Sequence, residues 1–187
     1  MCDDKKDLTY TLIRSKRRTC LIQVRGADII VRVPMRTSQA KIDAFVKEHW
    51  DWAVSRVEKN IKNNGGVPEK LTAEELADLT ARAKILIPER VAFYAERMGV
   101  QYGTITIRHQ RRRWGSCNAD GDLSFNCLLL LTPPEALDSV VVHELCHCLQ
   151  LNHSKAFYRE VYKYYPDYDE WHQWFNNHGN MLLGRLP

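Results

Sequence analysis

Residues 143–147 read His143-Glu144-Leu145-Cys146-His147, and this short stretch decides how the second half of the chain is organised. On an α-helix, residues four apart lie on the same face, one turn above each other. His143 and His147 can therefore direct two imidazole nitrogens at one metal ion. Glu144 lies one residue along, where its carboxylate can reach a water on that ion but is not placed to be a third helical ligand. The pattern predicts two zinc ligands and a general base.

A third ligand is expected shortly after this helix. His153 lies six residues beyond His147, the spacing of the H-E-x-x-H-x-x-G-x-x-H zinc proteases, although Gln150 stands where that pattern has glycine. Three protein ligands leave one position of a zinc ion open, as in catalytic sites. The predicted cofactor is therefore one Zn²⁺ ion, with other divalent metals as alternatives. A structural zinc site, or a surface helix with two solvated histidines, are the competing interpretations.

The flanking sequence places the motif on a helix. Thr132 is a candidate N-cap, Pro133 suits the first helical position, and Glu135 would complete a capping box. The apolar run 123–131 predicts a strand that could offer its edge to an extended peptide. Asn152 is expected to end the helix in a left-handed conformation, which would let the chain bring the third ligand back.

The first part of the chain predicts a small sheet and one helix. Three short apolar runs between residues 8 and 33 indicate a three-stranded antiparallel meander. Apolar residues from Ile42 to Ile61 recur at helical spacing, and the breaker Asn63–Pro68 is the expected linker. We therefore predict an α+β protein with a β-meander and helix over residues 1–66 and a second domain over residues 67–187. The two could also pack as one compact unit.

A long helix is predicted at the start of the second domain. Thr72 and Glu75 form a capping box, and Gly99 is a typical C-terminal stop. Pro88 is expected to kink or divide this helix, because proline removes a backbone hydrogen bond and clashes with the preceding turn.

Composition limits the class of protein. The 187 residues are 44% hydrophobic and 27% charged, as in an ordinary globular protein. No apolar run approaches the ~20 residues of a membrane span, and no secretory signal is recognisable at the N-terminus. The six cysteines are therefore expected to be reduced thiols, and the predicted location is the cytoplasm, with no membrane partner.

Arginines concentrate shortly before the metal motif, although the net charge is only +4. Residues 108–113 hold four arginines in six positions. One interpretation is a site for an anionic partner, such as phosphate, nucleic acid or an acidic peptide. The other is a charged turn or sheet edge that keeps the protein soluble. For Arg111, Arg112 and Arg113 the sequence leaves both open.

Several motifs resemble those of the YgjP-like metallopeptidases, a branch of the zincin-like hydrolases related to the SprT-like and WLM groups. The motifs are Arg113-Trp114-Gly115-Ser116-Cys117, Gly121 with Leu123–Leu131, Val141–His147, and Asn152-His153-Ser154 with Phe157. The resemblance implies a zincin-like catalytic half with a small mixed sheet beside the metal helix. It also implies that His143, His147 and His153 are ligands and that Glu144 is the catalytic base. Tyr158 departs from the pattern, since tryptophan is more usual there.

Three functions are compatible with these features, because fold and metal site do not determine the substrate. The first is a zinc-dependent peptidase, in which Glu144 takes a proton from water. Tyr158, Tyr162 and Arg113 are the candidates for the residue that stabilises the oxyanion. The second is a nucleoside triphosphate pyrophosphohydrolase, an activity assigned to some members of the resembling family. Arg111, Arg112 and Arg113 would then hold the phosphates. The third is a DNA-associated protein like the SprT and WLM groups, which the small net charge disfavours.

Overall fold

The computed structural model describes residues 9–63 and 69–187, and it confirms the predicted α+β class. The described chain divides into two compact units, one ending at Glu69 and one running from Lys70 to Pro187. The boundary predicted after residue 66, and most of the predicted linker, lie outside the described residues. Over the described ranges no helix has the length and apolar character needed to cross a membrane.

The first unit is a three-stranded sheet packed against a long helix. Its elements are β1 (Tyr10–Ser15), β2 (Leu21–Arg25), β3 (Asp28–Pro34) and α1 (Gln39–Asn63). The spatial order is β1-β3-β2, with β1 parallel and β2 antiparallel to β3. The expected antiparallel meander, with β2 in the middle, is therefore wrong.

β3 lies at the centre of this sheet and contributes three buried apolar side chains to the core of the unit. Ile29, Val31 and Val33 alternate along β3 and are buried against α1. Only Gly26 and Ala27 separate β2 from β3, and Gly26 adopts the left-handed φ of 55° that this tight turn uses. Period-2 alternation identifies strands but does not specify which strands are neighbours.

The second unit begins with α2 (Ala73–Met98), which confirms the predicted helix. Thr72 accepts a hydrogen bond from the Glu75 backbone N–H, and the Glu75 carboxylate accepts one from the Thr72 N–H. Gly99 ends the helix in the left-handed conformation, at a φ of 65°. Pro88 lies inside the continuous helix and does not divide it.

A small mixed sheet follows α2. Its strands are β4 (Ile105–Arg108), β5 (Gly115–Cys117) and β6 (Leu123–Asn126). β6 lies in the middle, parallel to β4 and antiparallel to β5. The mixed sheet that the family resemblance implied is present, but its edges are β4 and β5. The predicted peptide-binding edge on β6 is therefore wrong.

The apolar run 123–131 is only partly a strand. β6 ends at Asn126, whose side chain accepts a hydrogen bond of 3.1 Å from the Leu128 N–H and starts a 3₁₀ helix over Cys127–Leu131. A continuous apolar run can be a buried strand or a buried helical segment, and periodicity alone does not distinguish them. The prediction of one strand over this run is wrong for its second half.

The motif helix is α3 (Pro134–His147), as predicted, but it begins differently. Pro133 is its N-cap and no side chain caps it, whereas the Thr132 hydroxyl donates to the Leu129 carbonyl at 2.7 Å. The predicted capping box of Thr132 and Glu135 is wrong because Thr132 closes the preceding 3₁₀ helix instead.

The chain leaves α3 at His147 and continues into short helices. These are α4 (Lys155–Tyr164), α5 (Tyr168–Trp174), a π-helical turn (Phe175–Gly179) and α6 (Asn180–Gly184). No described residue other than glycine has a positive φ, so the predicted left-handed Asn152 is wrong.

An ion pair between α2 and α3 holds the motif helix in place. Arg90 donates to both carboxylate oxygens of Asp138, at 2.7 and 2.5 Å, and the Tyr94 hydroxyl donates to the same group at 3.1 Å. Such two-pronged pairs set orientation as well as distance. Asp138 lies five residues before His143, so the contact fixes α3 on α2 close to the motif.

Candidate metal centre

α3 presents His143 and His147 on its more exposed side. Their ring centroids are 4.9 Å apart and their planes are nearly perpendicular, at 79°. Val141, Val142 and Leu145 of the same helix are fully enclosed in the core of the second unit. Because these apolar side chains anchor the helix, its rotation is determined and the two imidazoles face the same region.

His153 lies in the segment after α3, and its ring is close to those of the other two histidines. Its ring centroid lies 5.0 Å from that of His143 and 4.7 Å from that of His147. One ring nitrogen from each of the three residues lies within 4.8 Å of the others. The Nε2 atoms of His143 and His153 are 3.0 Å apart. Two ligands of a tetrahedral zinc at ~2.0–2.1 Å would be separated by roughly 3.3 Å, so the observed arrangement is close to a binding geometry.

Phe157 packs against all three imidazoles. It is fully buried, and its ring centroid lies 4.9, 4.5 and 4.9 Å from those of His143, His147 and His153. Phe157 is in the first turn of α4, where its N–H donates to the side chain of the N-cap residue Ser154. The first turn of α4 therefore places the apolar ring of Phe157 against the three imidazoles.

The second ring nitrogen is engaged in two of the three histidines. Nδ1 of His147 lies 3.1 Å from the Gln150 carbonyl oxygen, which can only accept, so the ring proton resides on Nδ1. Nε2 of His147 is then left with a free lone pair. Nδ1 of His143 lies 2.8 Å from the Tyr168 hydroxyl. Metal-binding histidines in proteins usually have such a partner on the nitrogen that does not face the ion.

The environment of His143 and His147 favours the neutral imidazole, which is the form that binds metal. Burial, together with the neighbouring His147 and His153, lowers the pKa of His143 to about 3. Burial also lowers the pKa of His147. Three imidazoles are a donor set that suits Zn²⁺ and other late first-row metals. The residues present therefore fit the metal that the motif predicts.

Glu144 is buried, with 6% of its surface exposed, and lies against β5. A Cβ atom added to Gly115 would approach the Glu144 side chain within 2.6 to 2.9 Å at Oε1, Cγ and Cδ. Burial raises the pKa of Glu144 to about 8, and the positive charge of Arg113 opposes this shift. The glutamate thus occupies space that only a glycine at position 115 leaves open.

Comparison with known families agrees with this geometry. The model of the YgjP-like metallopeptidase domain matches residues 58–178. The chain belongs to the YgjP-like metallopeptidase family. This confirms the resemblance seen in the sequence motifs, and it makes a metal-dependent hydrolase the general class of the protein. No curated protein matches the chain significantly.

Two solved structures resemble about half of this family member. One is the metallopeptidase zymogen abylysin of Pyrococcus abyssi, with 20% identity and a TM-score of 0.45, covering 49% of this chain and 93% of that chain. The other is the metallopeptidase zymogen jannalysin of Methanocaldococcus jannaschii, with 21% identity and a TM-score of 0.43, covering 48% and 93%.

The three arginines predicted to bind substrate are exposed in this YgjP-like protein. Arg111 donates to the Pro187 carbonyl oxygen, and the electrostatic influence of Arg113 reaches Glu144. The segment that carries them is held by the buried Asn126, whose side-chain amide donates to the carbonyls of Gln110 and Arg113 at 2.6 and 3.0 Å. Arg113 is therefore the arginine whose positive charge acts on the motif residue Glu144.

Tyr158, the fourth predicted substrate residue, lies beside the histidines. It is half-buried, and its ring centroid is 6.2 Å from that of His153. It follows Phe157 in α4, so the helix that supports the three imidazoles also places Tyr158 at their margin.

The cysteines near the motif are not part of the histidine cluster. Cys146 is fully buried, and the sulfurs of Cys117 and Cys148 are 3.8 Å apart without a covalent bond. All cysteines within the described ranges are free. Burial raises the pKa of Cys117 to about 12, so this thiol is a weak nucleophile at neutral pH.

Sequence reasoning missed two contacts of the cluster. Tyr168 bonds to His143 although 25 residues separate them, and no local pattern marks it. In the sequence, Gln150 is only a departure from the glycine pattern, yet its backbone carbonyl orients His147. A backbone carbonyl carries no residue-type signal, so the sequence could not have identified this role.

Proposed function

We propose that this protein is a zinc-dependent peptidase, with His143, His147 and His153 as metal ligands and Glu144 as general base. The observation that carries the proposal is that one ring nitrogen from each of these histidines lies within 4.8 Å of the other two. The glutamate that follows His143 in the motif is buried. Three ligands leave one coordination position for water or substrate, as catalytic zinc sites require.

The residues of the chain have separate tasks in this proposal. A bound zinc ion would supply Lewis acidity and would lower the pKa of water towards ~7. Glu144 would accept the proton of the attacking water and pass it to the leaving amine. Phe157 would hold the imidazoles in place, and Tyr158 or Arg113 would contact the substrate carbonyl.

A peptide could bind along β5, which is an edge strand of the mixed sheet. Edge strands offer unpaired backbone groups to an extended segment, and the resulting hydrogen bonds do not depend on sequence. Gly115 belongs to β5 and lies against the side chain of Glu144. A peptide paired with β5 would therefore lie next to the strand that contacts Glu144, the proposed base.

The two other functions have less support. The nucleotide hydrolase would hold phosphates through three exposed arginines, and one of these, Arg111, bonds to the Pro187 carbonyl. Phosphoryl transfer also generally uses Mg²⁺ on oxygen ligands, and three imidazoles suit zinc better. A DNA-associated role would rest on electrostatic attraction, for which a net charge of +4 provides little.

A paired substrate screen tests the proposal. Zinc-loaded protein is incubated with a labelled unfolded protein and, separately, with nucleoside triphosphates, with and without a chelator. We expect peptide cleavage that the chelator abolishes and that zinc restores. Phosphate or pyrophosphate release without peptide cleavage would replace the peptidase by the nucleotide hydrolase, and the Glu144→Gln variant serves as the control for contaminating enzymes.

Gly115→Ala is expected to lower peptide hydrolysis strongly without removing the metal. The new methyl group would meet the Glu144 side chain at 2.6 to 2.9 Å, so the glutamate has to move. A misplacement of about 1 Å in a catalytic group can cost roughly 10²-fold in rate. The measurement is kcat/KM, with zinc content determined on the same sample.

Ser116→Ala is the matched control for this change, since it alters the next residue of β5 without adding an atom near Glu144. It should keep its activity. A fully active Gly115→Ala protein would show that Glu144 tolerates displacement, which is incompatible with its role as a positioned base.

A further inference from the structure

Tyr168 has the contacts expected of a residue that orients a metal ligand. It is the first residue of α5 and is buried, with 8% of its surface exposed. Its hydroxyl lies 2.8 Å from Nδ1 of His143. The other ring nitrogen of His143, Nε2, is directed towards Nε2 of His153 at 3.0 Å. Tyr168 and the proposed metal position thus lie on opposite nitrogens of the same ring.

The Tyr168 ring is itself packed among four other aromatic rings. Its plane is within 15° of that of His143, with centroids 5.7 Å apart, and within 22° of that of His172, with centroids 5.9 Å apart. The rings of Tyr158 and Tyr162 pack against it at 6.4 and 6.3 Å. A side chain enclosed in this way has little rotamer freedom, so the position of its hydroxyl is determined by packing.

We propose that Tyr168 is a positioning residue for the metal centre, which rests on the proposed function because it requires His143 to be a ligand. The hydroxyl accepts the Nδ1–H of His143, which leaves the Nε2 lone pair free and holds the ring plane towards His147 and His153. Tyr168 touches neither substrate nor metal in this role. It acts by holding His143 in the tautomer and orientation that bind the ion.

The choice of a hydroxyl distinguishes His143 from His147. The Gln150 carbonyl that holds His147 can only accept, and therefore allows a single tautomer. A tyrosine hydroxyl can both donate and accept. It can therefore also donate to Nδ1 of His143 in the metal-free protein, in the tautomer in which Nε2 of His143 donates to Nε2 of His153. The same contact thus supports the ring before and after metal binding.

Tyr168→Phe tests this inference, with Tyr165→Phe as the matched control. Both changes remove one tyrosine hydroxyl that bonds to α3, but the Tyr165 hydroxyl donates to the Glu135 carbonyl at the other end of that helix. Zinc affinity is measured by competition with a chromophoric chelator, and thermal unfolding is measured on the zinc-free proteins. We expect Tyr168→Phe to weaken zinc binding about 10- to 100-fold, as for other residues that support metal ligands, and Tyr165→Phe to leave it unchanged.

A spectroscopic measurement separates positioning from general stability. In zinc-loaded protein with ¹⁵N-labelled histidine, the Nδ1–H of His143 should be protected from exchange, and Tyr168→Phe should remove this protection. Unchanged zinc affinity and an unchanged Nδ1 signal in a folded Tyr168→Phe protein would overturn this inference alone. Failure of the unaltered protein to bind zinc would overturn the proposed function, and this inference with it.

Discussion

Glu144→Gln is expected to lower peptide turnover by roughly 10²- to 10⁴-fold, the usual contribution of a general base, while zinc stays bound. Glutamine preserves the size of this buried side chain, so the packing against Gly115 is retained. Its amide cannot take a proton from water, and this is the property that the reaction needs. The measurement is kcat/KM for a chelator-sensitive peptide substrate, with the zinc content of the same preparation.

Glu135→Gln is the control for this substitution. Glu135 is an exposed residue in the first turn of the same helix, so the chemical change is identical but lies away from the histidines. We expect this variant to keep full activity. Undiminished turnover in Glu144→Gln, with zinc present, would remove Glu144 from the mechanism and leave the metal site without its proposed base.

His147→Ala is expected to weaken zinc binding by more than roughly 100-fold. Removing a residue that only hydrogen-bonds to a ligand typically lowers metal affinity by about 10- to 100-fold, and removing the ligand itself should lower it further. Peptide hydrolysis should fall with it. The stabilisation by zinc should also disappear: for a protein with an intact site, zinc at 100 times its dissociation constant adds about 2.7 kcal/mol to the free energy of unfolding. Thermal unfolding with zinc and with chelator measures this difference directly.

His109→Ala provides the matching control, since His109 is an exposed histidine that bonds to the Thr80 hydroxyl and does not belong to the cluster. Its zinc-dependent stabilisation should equal that of the unaltered protein. Comparing the zinc-free forms shows whether His147→Ala folds normally. If zinc stabilises His147→Ala as much as the unaltered protein, His147 is not a ligand.

Local signals in the sequence predicted the helices well. The capping residues of α2 and its glycine stop lie within a few residues of the helix ends that they determine, so they need no information from elsewhere. The start of α3 shows the limit of such signals. Thr132 has the sequence context of a capping box, but its hydroxyl donates to the Leu129 carbonyl of the preceding 3₁₀ helix instead.

Strand arrangement was the weakest part of the prediction. Alternating apolar residues identified the strands of the first unit, but the position of β3 at the centre depends on pairing across the sheet. The run 123–131 resembles one continuous strand for a related reason. Five consecutive residues of the run, 125–129, are buried, and continuous burial removes the alternation that separates a strand from a helical turn.

The sequence by itself determined that His143, Glu144 and His147 belong to one helix, and its spacing indicated His153. This is possible because the helical period is a local property of the backbone, independent of the rest of the chain. The tertiary structure decided what surrounds them. Tyr168 reaches His143 through the packing of α5 on α3, and Gly115 makes room for Glu144 through the packing of β5 on the same helix. Such contacts join residues far apart in sequence, and only the folded chain brings them together.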